Sequence, residues 1–127
     1  MAYTVLTPIT LPSRAGMSIA DAAMTAAVAG GHSIVNDGYV QLELLNTSAS
    51  TVNVTVGAPN LIDTYAALPI SGLLIVLPPG NVTPVRQLTP FFPRTIYNQS
   101  DGTIHVDYSA TTSVKIMAIQ HFRELTQ

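Results

Sequence analysis

The hydrophobic pattern of the chain is dominated by short segments in which apolar and polar residues alternate. In "YVQLELLN" over 39–46, the residues Val40, Leu42 and Leu44 would face one side of a strand. The segments "TVNVTV" over 51–56 and "TIHVDY" over 103–108 repeat this period of two. Turn-forming residues bound these segments, so the pattern from residue 33 onwards predicts strand, turn, strand.

The number and spacing of these segments predict an all-β fold. About eight short antiparallel strands, each with one face in a core and one in water, are typical of a β-sandwich. Long connections, such as 58–72, alternate with tight turns, which favours a jelly-roll-like arrangement over a simple meander. "LLIVL" at 73–77 is apolar throughout and is predicted to be buried on both faces. "RTIYNQ" at 94–99 is predicted to be a short strand.

The first thirty residues follow a different pattern. Residues 1–17 form an extended segment in which Pro8 and Pro12 rule out a central strand. This N-terminal arm is either an edge strand or a tail that leaves the domain. "SIADAAMTAAVA" at 18–29 predicts one short helix, with Ser18 as its N-cap.

The chain therefore divides into two predicted parts. Residues 1–30 hold the arm and the short helix, which Gly30 and Gly31 would end. Residues 31–127 form the β-sandwich domain. A length of 127 residues fits a single domain of this kind.

Three turns are predicted from their residue types. Asp and Asn side chains bond to nearby backbone groups in turns, and glycine adopts a positive φ at no steric cost. Proline followed by glycine suits the two central positions of a type II turn. The predicted turn residues are Asn36, Asp37 and Gly38, then Pro79 and Gly80, then Asp101 and Gly102.

Composition favours a subunit of an assembly. Charged residues make up 9% of the chain and the net charge is -2, so little charge opposes association; a neutral secreted β domain is the alternative. The chain has five Lys and Arg residues in total, too few to predict a positively charged surface that would bind nucleic acid. The absence of cysteine excludes disulfides and thiol chemistry. No apolar run is long enough for a membrane span, and "MAYTVLTPIT" does not resemble a signal peptide.

Candidate catalytic and metal-binding groups are few. His105 and Asp107 share the outer face of one predicted strand, with Ser109 next in line. Side chains at i and i+2 stand ~7 Å apart and side by side, which favours a solvated or contact face over a Ser-His-Asp arrangement. We therefore predict no enzyme activity and no cofactor.

Metal sites are not supported by residue spacing. The three histidines, His32, His105 and His121, have no local ligand spacing, although a threefold axis could bring one from each of three subunits together. The aspartates at 37, 63, 101 and 107 form no calcium loop. The turn interpretation explains Asp37 and Asp101 better.

Asparagines and aromatic residues leave two further hypotheses. Sequons begin at Asn46, Asn53, Asn81 and Asn98, and they matter only in a protein secreted by a eukaryote. Phe91, Phe92, Tyr97 and Tyr65 could form a sugar-binding platform. A core plug at a bend flanked by Pro90 and Pro93 is the favoured alternative.

Several stretches together resemble a known family. These are "SIADAAMTAAVAGG", "NDGYVQLELLNTSASTVNVTV", "LPPG" and, most closely, "FFPRTIYNQSDGTIHVDYSATTSVKIMAI". In their order and spacing they resemble the jelly-roll capsid decoration (auxiliary or cement) proteins of tailed bacteriophages. The resemblance covers most of residues 18–119. The chain departs from it in 58–72 and in the proline-broken "NVTPVRQLTP".

The resemblance implies structural roles and no catalytic residue. Asn36-Asp37-Gly38 would open the first long strand, and Pro79-Gly80 would turn between strands. Phe92-Pro93 and Tyr97 would anchor the bend before the last hairpin. Asp101-Gly102 would be the hairpin turn, with core positions at Ile104, Val106 and Tyr108.

The function implied is that of a virion structural protein. It would bind the outer surface of the assembled phage head, contact the major capsid protein, stabilise the shell and form a homotrimer. It would be made in the host cytoplasm. The arm would grasp the shell or a neighbour. Candidate interface residues are Tyr3, Val5, Leu6, Ile9, Leu11, His105 and Asp107. Another virion component, or a carbohydrate-binding β-sandwich, is the alternative.

Overall fold

The computed structural model of the protein describes residues 3–10, 24–58 and 72–121. In this part of the chain, ten strands form two five-stranded sheets, which confirms the predicted all-β sandwich. The strands are β1 (Thr4–Val5), β2 (Ile9–Thr10), β3 (Thr25–Ala26), β4 (His32–Val35), β5 (Val40–Asn46), β6 (Val52–Gly57), β7 (Gly72–Leu77), β8 (Val85–Leu88), β9 (Thr103–Tyr108) and β10 (Val114–Gln120). One short helix, α1, covers Arg94–Tyr97.

The strand order places the last two strands inside the two sheets. Sheet I has the order β1-β4-β9-β6-β7, and sheet II has the order β2-β10-β5-β8, with β3 also paired to β10. From β4 to β10 the chain changes sheet at every connection except that between β6 and β7. This repeated crossing separates the fold from a meander and fits the jelly-roll-like expectation.

Two strand pairs differ from the expected antiparallel arrangement. β1 runs parallel to β4, and β2 runs parallel to β10. Both strands belong to the N-terminal arm, which lies beside its neighbours without a hairpin connection. Residues 3–10 therefore supply an edge strand to each sheet, and β3 also pairs with β10 of sheet II, in the antiparallel direction.

The main core lies between the two sheets. Alternate positions of β5, β6 and β9 point into it, and the residues between them point out, as the period of two requires. Tyr108 is half-buried at its edge. The fully buried hydrophobic positions of these three strands are Val40, Leu42, Leu44, Val52, Val54, Val56, Ile104 and Val106.

A second hydrophobic cluster covers the outer face of sheet II. Leu45 and Met117 are buried, yet they alternate with Leu44 and Ile116 of the main core, so they point to the opposite face. Ile119 and Met24 complete this cluster, and Ile9 of β2 packs against it. We call Met24, Leu45, Met117 and Ile119 the outer cluster. Sheet II is thus buried on both faces at its centre.

The prediction that 73–77 is buried on both faces is wrong. Ile75 and Leu77 point into the core, but Leu74 and Val76 are 57% and 49% exposed. β7 is an edge strand of sheet I, and among the described residues no layer like the outer cluster of sheet II covers its outer side.

The helix predicted for 18–29 is wrong over its described part. Thr25 and Ala26 form β3, antiparallel to β10, and the Ala27 N–H donates to the Val114 carbonyl at 2.9 Å. Met24 is buried in the outer cluster, and Ala27 is buried in the main core. Strand pairing and burial outweigh the helix propensity of alanine, which is a weak preference. Residues 18–23 lie outside the described residues.

The strand predicted at 94–99 is also wrong, because α1 occupies Arg94–Tyr97. The N–H groups of Ile96 and Tyr97 both donate to the Pro93 carbonyl, which closes a helical turn at the bend. Most of the predicted long connection, 59–71, lies outside the described residues, as do Leu11, Asp63 and Tyr65. Within the described ranges, no helix has the length and apolar character to cross a membrane.

Candidate interaction surface

The outer face of sheet I brings together the two polar residues singled out on β9. The Tyr3 ring of the arm stacks on the His105 ring, with centroids 3.9 Å apart and planes inclined by 23°. The Tyr3 hydroxyl donates to Asp107 Oδ2 at 3.1 Å. Burial raises the pKa of Tyr3, and the hydrogen bond to Asp107 and its negative charge raise it further. His105 and Asp107 therefore form the surface on which the Tyr3 side chain of the same chain packs.

No Ser-His-Asp arrangement forms at this place. The Ser109 hydroxyl accepts a hydrogen bond from the Asn53 backbone N–H at 2.8 Å and so holds the end of β9 to β6. His105 and Asp107 each contact Tyr3, side by side, as strand geometry predicted.

The remaining candidate interface residues of the arm have different environments. Val5 is 72% exposed, whereas Leu6 is 7% exposed and belongs to the main core. Leu6 therefore packs between the two sheets, because the arm turns its side chain inwards. Ile9 packs on the outer cluster. Leu11 lies outside the described residues.

The turns at 36–38 and 101–102 are held by side-chain oxygens. Asn36 Oδ1 accepts from the Gly38 N–H at 3.0 Å, and Gly38 has a φ of 95°. Asp101 Oδ1 accepts from the backbone and hydroxyl of Thr103, and Gly102 has a φ of 83°. The bonds from Thr103 lower the pKa of the Asp101 carboxyl.

The type II turn predicted at Pro79-Gly80 is wrong, because Gly80 lacks the positive φ that such a turn requires. Glycine is needed there for a different reason. Its N–H donates to the Ser48 carbonyl at 2.8 Å, and a Cβ atom would lie 1.9 Å from the Asn46 carbonyl oxygen. Glycine is therefore required at position 80 because its backbone lies close to the backbone of Asn46.

Buried asparagines hold the connections to the sheets. Asn46 is fully buried, and its Nδ2 donates to the carbonyls of Ser50, Leu77 and Pro78. Asn36 donates to the Phe92 carbonyl at 2.8 Å and to Asn98 Oδ1 at 2.7 Å. Sequence reasoning treated Asn46 and Asn98 only as sequons. The one signal in the sequence was the position of Asn46 at the end of the apolar strand segment 39–46.

A buried histidine–tyrosine pair also escaped prediction. His32 is fully buried on the core face of sheet I, and its Nδ1 lies 2.7 Å from the Tyr108 hydroxyl. Burial lowers the pKa of His32 and raises that of Tyr108. His32 Nε2 has no hydrogen-bond partner among the described residues. The pair thus joins His32, which is buried in the core, to Tyr108, which is half-buried at the edge of the core.

The three histidines occupy three different environments. His32 is on the core face of sheet I, His105 is on its outer face, and His121 contacts the Phe91 ring. In the described ranges, no group of three or more His, Cys, Asp or Glu side chains could hold a metal ion.

The aromatic residues near the bend divide into two groups. Phe92 is fully buried and Tyr97 packs edge-on against it at 5.2 Å, as expected of a core plug. Phe91 is 43% exposed instead. Its ring makes edge-to-face contacts with Tyr39 at 6.0 Å and His121 at 5.1 Å.

An uncharged strip lies on the outer side of sheet I at its β7 edge. Leu74 pairs with Thr55 and Val76 pairs with Asn53, so the outward-facing side chains of the two strands lie next to each other. We call these four residues the β7 face. It combines exposed aliphatic side chains with neutral polar ones and contains no charge.

No family model matches the chain, no curated protein matches its sequence, and no solved structure matches its fold at a significant level. Its function is therefore inferred from its own residues and geometry.

Proposed function

We propose that the chain is a virion structural protein, a decoration protein that binds the outer surface of an assembled phage head as a homotrimer and stabilises it. The sequence stretches that resemble capsid decoration proteins support this proposal. The β7 face is the structural observation that carries it. Exposed edge strands usually carry charges or prolines that prevent pairing with other proteins. β7 has neither, and its outward side chains are Leu74 and Val76.

The stabilising effect would follow from mass action. A protein that binds only the assembled shell lowers the free energy of the assembled state relative to free subunits. A trimer that contacts several shell subunits at once adds avidity, because its later contacts form at high effective concentration. The major capsid protein is the partner in this proposal.

Co-sedimentation with empty, expanded capsids tests the proposal. Wild-type protein is expected to pellet with the capsids, and a Leu74→Lys, Val76→Lys double variant is expected to bind at least about tenfold more weakly, because each lysine places an unpaired charge in the interface. Val82→Lys is the matched control, since Val82 is 90% exposed in the loop after β7. Failure of the wild-type protein to bind capsids would refute the proposal.

A location elsewhere in the virion is the closest alternative. Binding to isolated tails, with no binding to heads, would favour a tail, fibre or head–tail component. The same pair of lysine substitutions would then identify whether the β7 face carries that contact.

A carbohydrate-binding role is the second candidate, and one surface group favours it. The exposed Phe91 ring lies beside Tyr39 and His121, and Gln120 Nε2 donates to Asp37 Oδ2 at 2.9 Å nearby. Aromatic rings and planar polar side chains are the groups that contact sugars. A glycan array with hits lost in Phe91→Ala would support this role. Phe92 is buried and cannot serve as the contact residue.

A further inference from the structure

The described part of the N-terminal arm, residues 3–10, joins the two sheets at one side of the sandwich. β1 pairs with β4 at the edge of sheet I, and β2 pairs with β10 in sheet II. The N–H groups of Thr4 and Leu6 donate to the carbonyls of Gly31 and Ser33 at 3.0 and 2.9 Å. The arm is therefore bound by main-chain hydrogen bonds, as a peptide is when it adds a strand to a sheet edge.

Side chains of the arm fill sites on three surfaces. Leu6 enters the main core, Ile9 packs on the outer cluster, and Tyr3 lies on His105 and Asp107. A Cβ atom at Gly31 would lie 2.7 Å from the Tyr3 ring, so glycine there leaves room for the arm. We call the site formed by these groups the arm slot. Within the described residues, the partners of these arm contacts all lie at residue 24 or later.

The connection between the arm and the rest of the chain is long. Thirteen residues, 11–23, separate Thr10 from Met24. Thirteen residues can span up to roughly 45 Å when extended. Both arm strands are parallel to their neighbours, so no tight turn ties them to the strands they pair with.

We propose that the arm is exchanged between copies of this chain, so that residues 3–10 of one copy fill the arm slot of a second copy. The contacts in the slot are the same in the closed and exchanged forms, which makes exchange a low-cost route to an oligomer. The exchanged arm would place Leu6 and Ile9 inside an interface between copies.

A disulfide across the slot distinguishes the two forms. The chain has no cysteine, so introduced cysteines report only on the chosen contact. Val5 and Ser33 are register partners on the outer face of sheet I, at a spacing that a disulfide can bridge. We expect the oxidised Val5→Cys, Ser33→Cys double variant to run as covalent oligomers on a non-reducing gel. A closed arm would instead give only disulfide-bonded monomers.

A mixture of single variants provides the second measurement. Val5→Cys protein is mixed with mass-tagged Ser33→Cys protein and oxidised, so that a hetero-linked product requires two copies. Val5→Cys mixed with tagged Val82→Cys gives the background from random collision, because Val82 is in the loop after β7. A double variant that stays monomeric, together with no hetero-linked product above background, would overturn the proposal. Capsids are absent throughout, so the result is independent of shell binding.

Discussion

The two sheets of the sandwich differ in what covers their outer faces. The central strands of sheet I place His105, Asp107 and Thr55 outwards, and Tyr3 of the arm stacks on His105 and hydrogen-bonds to Asp107. The central strands of sheet II place Leu45 and Met117 outwards, and the outer cluster buries them. Strands with the same period of two therefore produce one open face and one closed face.

This difference concerns the centres of the two faces, since Leu88 at the β8 edge of sheet II is also 56% exposed. The outer face of sheet II already buries apolar side chains against residues of the same chain, including Met24 of the segment before β3. The outer face of sheet I instead leaves Leu74 and Val76 in solvent. A partner gains hydrophobic stabilisation by covering such side chains. Sheet I is thus the face on which the proposed shell contact is placed.

Removing a side chain from the closed face should have the largest effect. Met117→Ala is expected to lower the free energy of unfolding by about 2–4 kcal/mol, because it leaves a cavity in the outer cluster. Val76→Ala on the open face should change it by less than about 0.5 kcal/mol. Urea denaturation of both variants measures the difference. Equal losses would contradict the contrast between the two faces.

The pH dependence of stability should separate the inner and outer faces of sheet I. Burial lowers the pKa of His32 in the folded state, so the unfolded chain binds the proton more readily. The stability contributed by neutral His32 is present above the unfolded pKa of about 6.5 and is lost as pH falls below it. One group can contribute a slope of at most about 1.4 kcal/mol per pH unit.

Denaturation midpoints between pH 8 and 5 test this expectation. The wild-type protein and His105→Gln should both lose stability as the pH falls, and His32→Gln should lose less over the same range. Tyr108 is the titratable group that contacts His32, and its raised pKa keeps it neutral throughout. An unchanged slope in His32→Gln would show that the acid sensitivity arises elsewhere.

The contact between the arm and sheet I should give the smallest effect. Tyr3→Ala removes the ring from His105 and is expected to cost about 1 kcal/mol, the usual value for an aromatic pair. Tyr3→Phe keeps the ring and loses only an exposed hydrogen bond, so it should cost about 0.5 kcal/mol or less. Urea midpoints of the two variants give the comparison. A larger loss for Tyr3→Phe than for Tyr3→Ala would refute the stacking explanation.

The sandwich was predictable because its main signal is local. Alternation in β5, β6 and β9 identifies both the strand and its buried side, and these positions are buried as expected. The same rule failed at β7, because nothing within "LLIVL" indicates that it is an edge strand. It also failed at 24–29, where pairing with β10, almost ninety positions later, replaces a helical pattern.

The surface site was predictable only in part. Strand geometry correctly placed His105 and Asp107 side by side on an outer face. It could not identify Tyr3 as their partner, because 104 positions separate Tyr3 from Asp107. The bond between His32 and Tyr108 was missed for the same reason, since it joins residues 76 positions apart.

The positions of β9 and β10 have a consequence for the order of folding. β9 lies between β4 and β6, and β10 lies between β2 and β5, so neither sheet is continuous without them. A growing chain reaches them last, at Thr103–Tyr108 and Val114–Gln120. During synthesis the earlier strands therefore have unpaired edges. Domains that depend on such non-local strand pairing fold slowly. Until β9 and β10 pair, the edges of β4, β5 and β6 that they later cover are open to pairing with another chain.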